Sequence, residues 1–287
     1  MPGSDDTGTS GAATGLGRGF RPGRAALVVY LMAGYPDRAT SLAALHAAAA
    51  AGADVIELGV PYGDPVADGP VIAEAAGVAR EGGFGLAETI ELAREFLGEP
   101  AEGAPPVHGD TGTGHTETPP VALMTYLNPL MRFGLPRAAD AMRTAGVSGV
   151  IVPDMPPEAA RPWLVVAEGL DTVFLAAPTS TPSRFAAIAS ASSGFVYCVS
   201  STGVTGERTT LREGLAGLVE QIRAAATLPV AVGFGVSTPE QAAEVARIAD
   251  GVVVGSAVVR RQHDPASVGE FVTLLRKALD RAVANET

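Results

Sequence analysis

Short apolar runs alternate with longer stretches of helical period along most of the chain. The first run, ALVVYLM at 26–32, reads as a buried strand and stops at Gly34-Tyr35-Pro36. An Ala-rich helix is expected over 41–51, ended by Gly52 ahead of a second strand that contains Val55, Ile56 and Leu58. Two helical stretches follow at 71–80 and 86–97. From Val121 the beat is regular, with strands expected at 121–126, 149–152, 172–175, 195–199, 229–232 and 251–254. Helices are expected at 136–145, 157–168, 182–190, 213–225, 238–249 and 265–283. Eight strands, each followed by helix, are the pattern of a single α/β domain, a parallel (β/α)8 TIM barrel closed on itself. Doubly wound sheets share the alternation, but usually with fewer strands and a Gly-rich turn after the first.

One position breaks the apolar pattern. Glu57 lies inside the second strand, and strand alternation points it to the face opposite Ile56 and Leu58, towards whatever the strand encloses. Eleven residues later, past a loop bent by Gly59, Pro61, Gly63 and Pro65, stands Asp68. Two carboxyls in two environments can divide acid and base roles. Taken alone, Asp68 reads as a helix N-cap, whereas an inward strand Glu beside such a loop points to a site. In a barrel the chemistry sits at the C-terminal strand ends, where Glu57, Tyr126, Asp154 and Tyr197 all fall.

Composition narrows the partners. The 287 residues carry a net charge of −11, which argues against nucleic acid or an anionic membrane as partner, and no apolar run is long enough to span a bilayer. With no signal-peptide core at the N-terminus, a cytoplasmic location is expected. The lone Cys198 lies in an apolar run and reads as a core residue. Residues 1–24 are Gly, Ser and Thr rich and read as a disordered tail ahead of a 25–285 barrel domain, and 99–120 reads as a surface insertion. His46 lies within a helix and reads as packing; His108, Asp110 and His115 in the insertion make a weak metal candidate with nothing rigid to set their geometry, so no metal is expected.

Glycines gather after the last three strands, at Gly203 and Gly206, at Gly233 and Gly235, and at Gly255, with a helix expected to begin at Ser256. Such loops bring backbone N–H groups close to an anion, and loops seven and eight of a barrel are the usual place for phosphate. Glycines that merely end strands in a tight barrel would look the same. In an acidic chain without a basic patch, the set favours phosphate.

With IELGVPYGDPVADGP at 56–70, STGVTG at 201–206, GFGVS at 233–237 and VVGSAVV at 253–259, the chain resembles the tryptophan synthase alpha subunit family from about residue 26 to the last helix. The resemblance implies a lyase that cleaves indole-3-glycerol phosphate to indole and glyceraldehyde 3-phosphate. It gives Glu57 and Asp68 the catalytic positions, Gly206, Gly235, Gly255 and Ser256 the phosphate, and Tyr30, Tyr126 and Tyr197 the indole pocket, although tyrosines filling a barrel interior would serve as well. It implies no cofactor in this chain, and a beta subunit carrying pyridoxal phosphate as partner in a two-alpha, two-beta tetramer. Three departures stand out: Gly63 replaces the usual Ser or Thr, no helix precedes the barrel, and the 99–120 insertion is long. A stand-alone indole-producing lyase and a barrel acting mainly as activator of a beta subunit are the competing readings.

Overall fold

The structure is a computed structural model that describes residues 15–65, 68–98, 118–200, 214–233 and 235–284. Its strands are β1 (Ala26–Met32), β2 (Val55–Gly59), β3 (Val121–Met124), β4 (Gly149–Ile151), β5 (Asp171–Val173), β6 (Leu175–Ala176), β7 (Val196–Val199), β8 (Val230–Gly233) and β9 (Gly251–Val254). They pair in the order β5-β4-β3-β2-β1-β9-β8-β7-β6, parallel throughout. The two ends of that order, β5 and β6, are separated along the chain by Phe174 alone. They are therefore one strand in two pieces, and the sheet closes on itself as the expected (β/α)8 TIM barrel. The break has a local cause. The Phe174 N–H donates to Ser192 Oγ at 3.3 Å, outside the strand ladder, while its carbonyl accepts from Tyr197 N at 3.2 Å on the β7 side.

Strand alternation sorts the core into two layers. Val28, Val55, Ala122, Ile151, Val173, Ala231 and Val253 point inward and fill the barrel. Leu27, Val29, Leu31, Ile56, Leu58 and Leu123 point outward under the helices. Burial on both faces explains why these strands read as continuous apolar runs.

The N-terminal end of the barrel corrects the expected tail. Residues 1–14 lie outside the described residues, but Gly15–Gly19 form a 3-10 helix, and Leu16 is fully buried among the inward side chains of the strands. Phe20 packs its ring 5.2 Å from that of Phe195. The stretch lacks helical period, yet these two apolar side chains fill the space beneath small residues such as Ala122 and Ala231. This short turn stands where the resemblance implied a covering helix. Of the 99–120 insertion only 118–120 is described; Pro119 and Pro120 are buried and the Pro120 carbonyl accepts from Ile56 N at 3.0 Å, so these residues belong to the barrel wall.

Aspartates stitch the same end. Asp171 accepts from Leu16 N at 2.7 Å, Asp54 from Leu27 N at 2.8 Å, and Asp250 from Val230 N at 2.8 Å. Asp54 also meets Arg276 at 2.7 Å, a buried residue of the closing helix Pro265–Ala284 whose guanidinium donates to the Ala25 carbonyl as well. One expected helix gains a neighbour and another is divided. The 136–145 segment is preceded by a further helix, Leu127–Phe133, and begins at Leu135, the two meeting at Gly134 with φ of 93°. The 157–168 segment is a 3-10 turn, Pro157–Ala159, then Arg161–Val166, with Pro162 opening the second piece. No helix among the described residues is long and apolar enough to cross a membrane.

Two stability outcomes follow from this end of the barrel. Leu16→Ala opens a cavity at the plug, with an expected loss of about 2–5 kcal/mol in urea unfolding. Arg276→Ala removes the nearer cation from the buried Asp54 carboxylate and leaves it the longer 3.6 Å contact with Arg24, with an expected loss of up to about 3–5 kcal/mol in the same assay.

Candidate active site

The opposite end of the barrel gathers the acids. Glu57 is the third residue of β2, in register with Tyr30 on β1 and Ala122 on β3, so its side chain enters the barrel mouth. It is 1% exposed, and its Oε2 has no hydrogen-bond partner among the described residues. Such a carboxyl resists ionisation. Burial, with a smaller push from the charge of Asp68, raises its pKa from 4.5 to about 8. At neutral pH Glu57 holds its proton.

Asp68 stands one residue ahead of Gly69, the N-cap of the helix Pro70–Glu81. Burial raises its pKa too, and the bond from Tyr126 Oη to its Oδ1, 3.1 Å, pulls the other way. Asp68 is only partly buried and is hydrogen-bonded, so of the two carboxyls it is the less strongly pushed towards its neutral form. The two acids therefore sit in unlike surroundings, Glu57 fully buried and Asp68 half-buried with a phenol bonded to it.

Three tyrosines complete the mouth. Tyr30, Tyr126 and Tyr197 are all buried. Tyr30 feels the charges of Asp68 and Glu57 and lies near Tyr126 and Tyr197, so the structure brings these five residues together. Burial first, and then the neighbouring acids, push the Tyr30 and Tyr197 phenols well above 10, which keeps both as hydrogen-bond donors. Each leans over a glycine on the next strand. A Cβ on Gly59 would overlap the Tyr30 hydroxyl, and one on Gly233 would overlap that of Tyr197. Only glycine at these two strand ends lets the rings lie flat against the wall.

The expected phosphate residues are placed in part. Gly235 lies two residues beyond β8 with φ of 90°, and Gly255 caps the helix Ser256–Val259, which is a single turn. Gly255 sits beside Tyr30 and Ile72, at the edge of the same mouth. Gly206 lies outside the described residues, as do His108, Asp110 and His115. Among the described residues no group of three or more potential metal ligands occurs. Asp154 holds backbone instead of facing the acids, accepting from Leu127 N at 2.8 Å. His46, half-buried, packs its ring 5.1 Å from that of Phe96, while Cys198 belongs to the core, where burial pushes its thiol up to about 12. A cleft of about 650 Å³ between 20–25 and 223–229 opens at the far end of the barrel, away from Glu57, and Arg223 on its wall is paired with Asp250 at 2.7 Å.

Sequence reasoning passed over Tyr62 except as the neighbour of Gly63. Its ring lies 5.1 Å from that of Tyr126, and its hydroxyl accepts from Asn128 Nδ2 at 3.1 Å. An aromatic residue within the otherwise Gly, Pro and Asp stretch 61–65 was the available signal.

Comparison with known proteins agrees with this geometry. The family model for the tryptophan synthase alpha chain matches residues 19–282. The tryptophan synthase alpha chain of Phenylobacterium zucineum is 46% identical over 255 residues, covering 88% of this chain and 86% of its own. That of Caulobacter vibrioides is 44% identical, with 91% and 90% covered. Among solved structures, a chain of Mycobacterium tuberculosis tryptophan synthase superposes with a TM-score of 0.80 at 38% identity, covering 93% of this chain and 98% of that one. The alpha subunit from Legionella pneumophila gives 0.77 at 31%, with 90% and 93% covered. Fold, the acids at the barrel mouth and these relatives agree: the chain belongs to the tryptophan synthase alpha chain family.

Proposed function

We propose that the chain cleaves indole-3-glycerol phosphate to indole and glyceraldehyde 3-phosphate, with Glu57 as the proton carrier and Asp68 as the anion beside the indole nitrogen. The observation that carries this reading is the buried carboxyl of Glu57, whose Oε2 is without a partner among the described residues and whose pKa is raised to about 8. A structural acid in a core is paired; this one keeps a proton and a vacant hydrogen-bonding position in the mouth of the barrel.

The chemistry closes on itself. Protonated Glu57 gives its proton to indole C3, and positive charge develops at the ring nitrogen. Asp68, ionised, accepts the indole N–H and stabilises that charge. Glu57, now a carboxylate, takes the proton of the glycerol hydroxyl next to the scissile bond. The O–H electrons form the aldehyde carbonyl, the C–C pair returns to the ring, and Glu57 ends protonated as it began. A proton carrier that must start neutral at physiological pH needs a pKa near or above it, and burial supplies that.

Tyr30, Tyr126 and Tyr197 supply an apolar slot for the indole ring, with Tyr126 also steadying Asp68. Backbone N–H groups around Gly206, Gly235, Gly255 and Ser256 hold the phosphate, which suits a chain of net charge −11. Neither proton transfer needs a metal or organic cofactor. The partner is a tryptophan synthase beta subunit in a two-alpha, two-beta tetramer, where pyridoxal phosphate joins the released indole to serine, in the cytoplasm. Family membership supports that assembly.

The direct test is indole release from indole-3-glycerol phosphate by the purified chain, alone and with a beta subunit added, where a slow rate that rises strongly with beta is expected and none in either case overturns the reading. Glu57→Gln is expected to cut kcat by about 10²–10⁴-fold with circular dichroism unchanged. In the wild type, kcat is expected to fall as pH rises through about 8, where Glu57 loses its starting proton. Stability follows the same group. The folded chain keeps a proton that the unfolded chain releases above 4.5, so this contribution is present below pH 4.5 and lost as pH rises through about 8. Glu57→Gln is therefore expected to gain in Tm over the wild type as pH is raised from 5 to 8.5, read by melting curves across that range.

A further inference from the structure

The loop after β2 carries Asp68 and departs from the family at Gly63. Its two side-chain tethers among the described residues reach the same place. Tyr126 Oη donates to Asp68 Oδ1 at 3.1 Å, and Asn128 Nδ2 donates to Tyr62 Oη at 3.1 Å. Tyr126 is the N-cap of the helix Leu127–Phe133 and Asn128 lies in its first turn. Between the tethers, the rings of Tyr62 and Tyr126 meet with centroids 5.1 Å apart and planes tilted by 33°. The backbone adds one anchor at the start of the loop, from Val60 N to the Met124 carbonyl at 2.8 Å.

Gly63 fits this arrangement. A Cβ there would stand 2.8 Å from Nη1 and 2.9 Å from Cζ of Arg80, so the guanidinium of the helix Pro70–Glu81 occupies the side where a Ser or Thr would project. The hydroxyl that the resemblance implied at 63 is absent, and the preceding residue, Tyr62, carries one. We propose that Tyr62 is a positioning residue for Asp68: held at its hydroxyl by Asn128 and packed against Tyr126, it sets the phenol that hydrogen-bonds the Asp68 carboxylate.

The reason this matters is leverage. Asp68 is pushed towards its neutral form by burial, and the Tyr126 bond is what opposes that push. A Tyr126 ring without its buttress turns more freely, the bond is broken for more of the time, and the anion is both misplaced and less often charged. A lone Tyr126–Asp68 pair on a loop would have to hold its own geometry; the Tyr62 ring and its Asn128 bond extend the constraint to a helix terminus.

The assignment rests on the catalytic reading of Asp68 given above, and its test separates the two. Tyr62→Phe keeps the ring and removes only the hydroxyl; Asn128→Ala removes the same bond from the other side. Each is expected to lower kcat for indole release by about three- to tenfold, with KM within about twofold. The acid limb of the pH profile is expected to move upward in both. The double variant is expected to be no slower than the slower single, because both remove one bond. Independently of turnover, the Asp68 carboxyl, followed by 13C NMR in the resting protein, is expected to titrate at higher pH in both variants. Multiplicative losses in the double variant, or an Asp68 titration that neither substitution moves, would overturn the proposal. If the wild type releases no indole, the lyase reading fails while the carboxyl titration still decides whether Tyr62 sets Asp68.

Discussion

A carboxyl withdrawn from water, with one oxygen left without a partner among the described residues, is the constraint around which this barrel is arranged. Desolvating Glu57 is unfavourable for the charged form, so the group remains neutral, and its proton becomes available to whatever enters the mouth. Keeping it dry requires walls with little polarity of their own. Tyr30, Tyr126 and Tyr197 provide them, and Gly59 and Gly233 make room for two of those rings.

The two ends of the barrel treat charge in opposite ways. At the N-terminal end, Asp54, Asp171 and Asp250 accept backbone N–H groups, and Arg276 neutralises Asp54. Every one of those carboxylates is satisfied, and the result is a closed floor with Leu16 in its centre. At the C-terminal end, Glu57 is left wanting and Asp68 is held by a single phenol among the described contacts. Satisfied charge is concentrated at one end and the proposed chemistry at the other, as expected of this fold.

Much of this was legible in the chain. Strand alternation alone directed Glu57 inward, because a period of two leaves no other face for a residue between Ile56 and Leu58. The eightfold strand count also held, since buried parallel strands advertise themselves as apolar runs; dividing one of them at Phe174 depends on a Ser192 hydroxyl that no local pattern reveals. Leu16 and Phe20 escaped notice because two apolar residues in a Gly-rich stretch carry no periodic signal, and their burial is decided by the hollow that other strands leave. Tyr62 escaped for a related reason: its partners, Tyr126 and Asn128, are distant in sequence, and an aromatic side chain in a loop has no preferred neighbour until the loop is folded.

The plug beneath the barrel also bears on how the chain is made. Leu16 emerges from the ribosome early, but the carboxylate that receives its N–H, Asp171, lies 155 residues further along. More than half of the polypeptide must be synthesised before the floor of the barrel can be sealed. Until then this apolar side chain and the inward faces of the first strands remain without their final partners, a long interval in which contacts of high sequence separation cannot form. Vectorial synthesis therefore makes closure of the floor a late event, completed only when β9 has been made and can pair with β1.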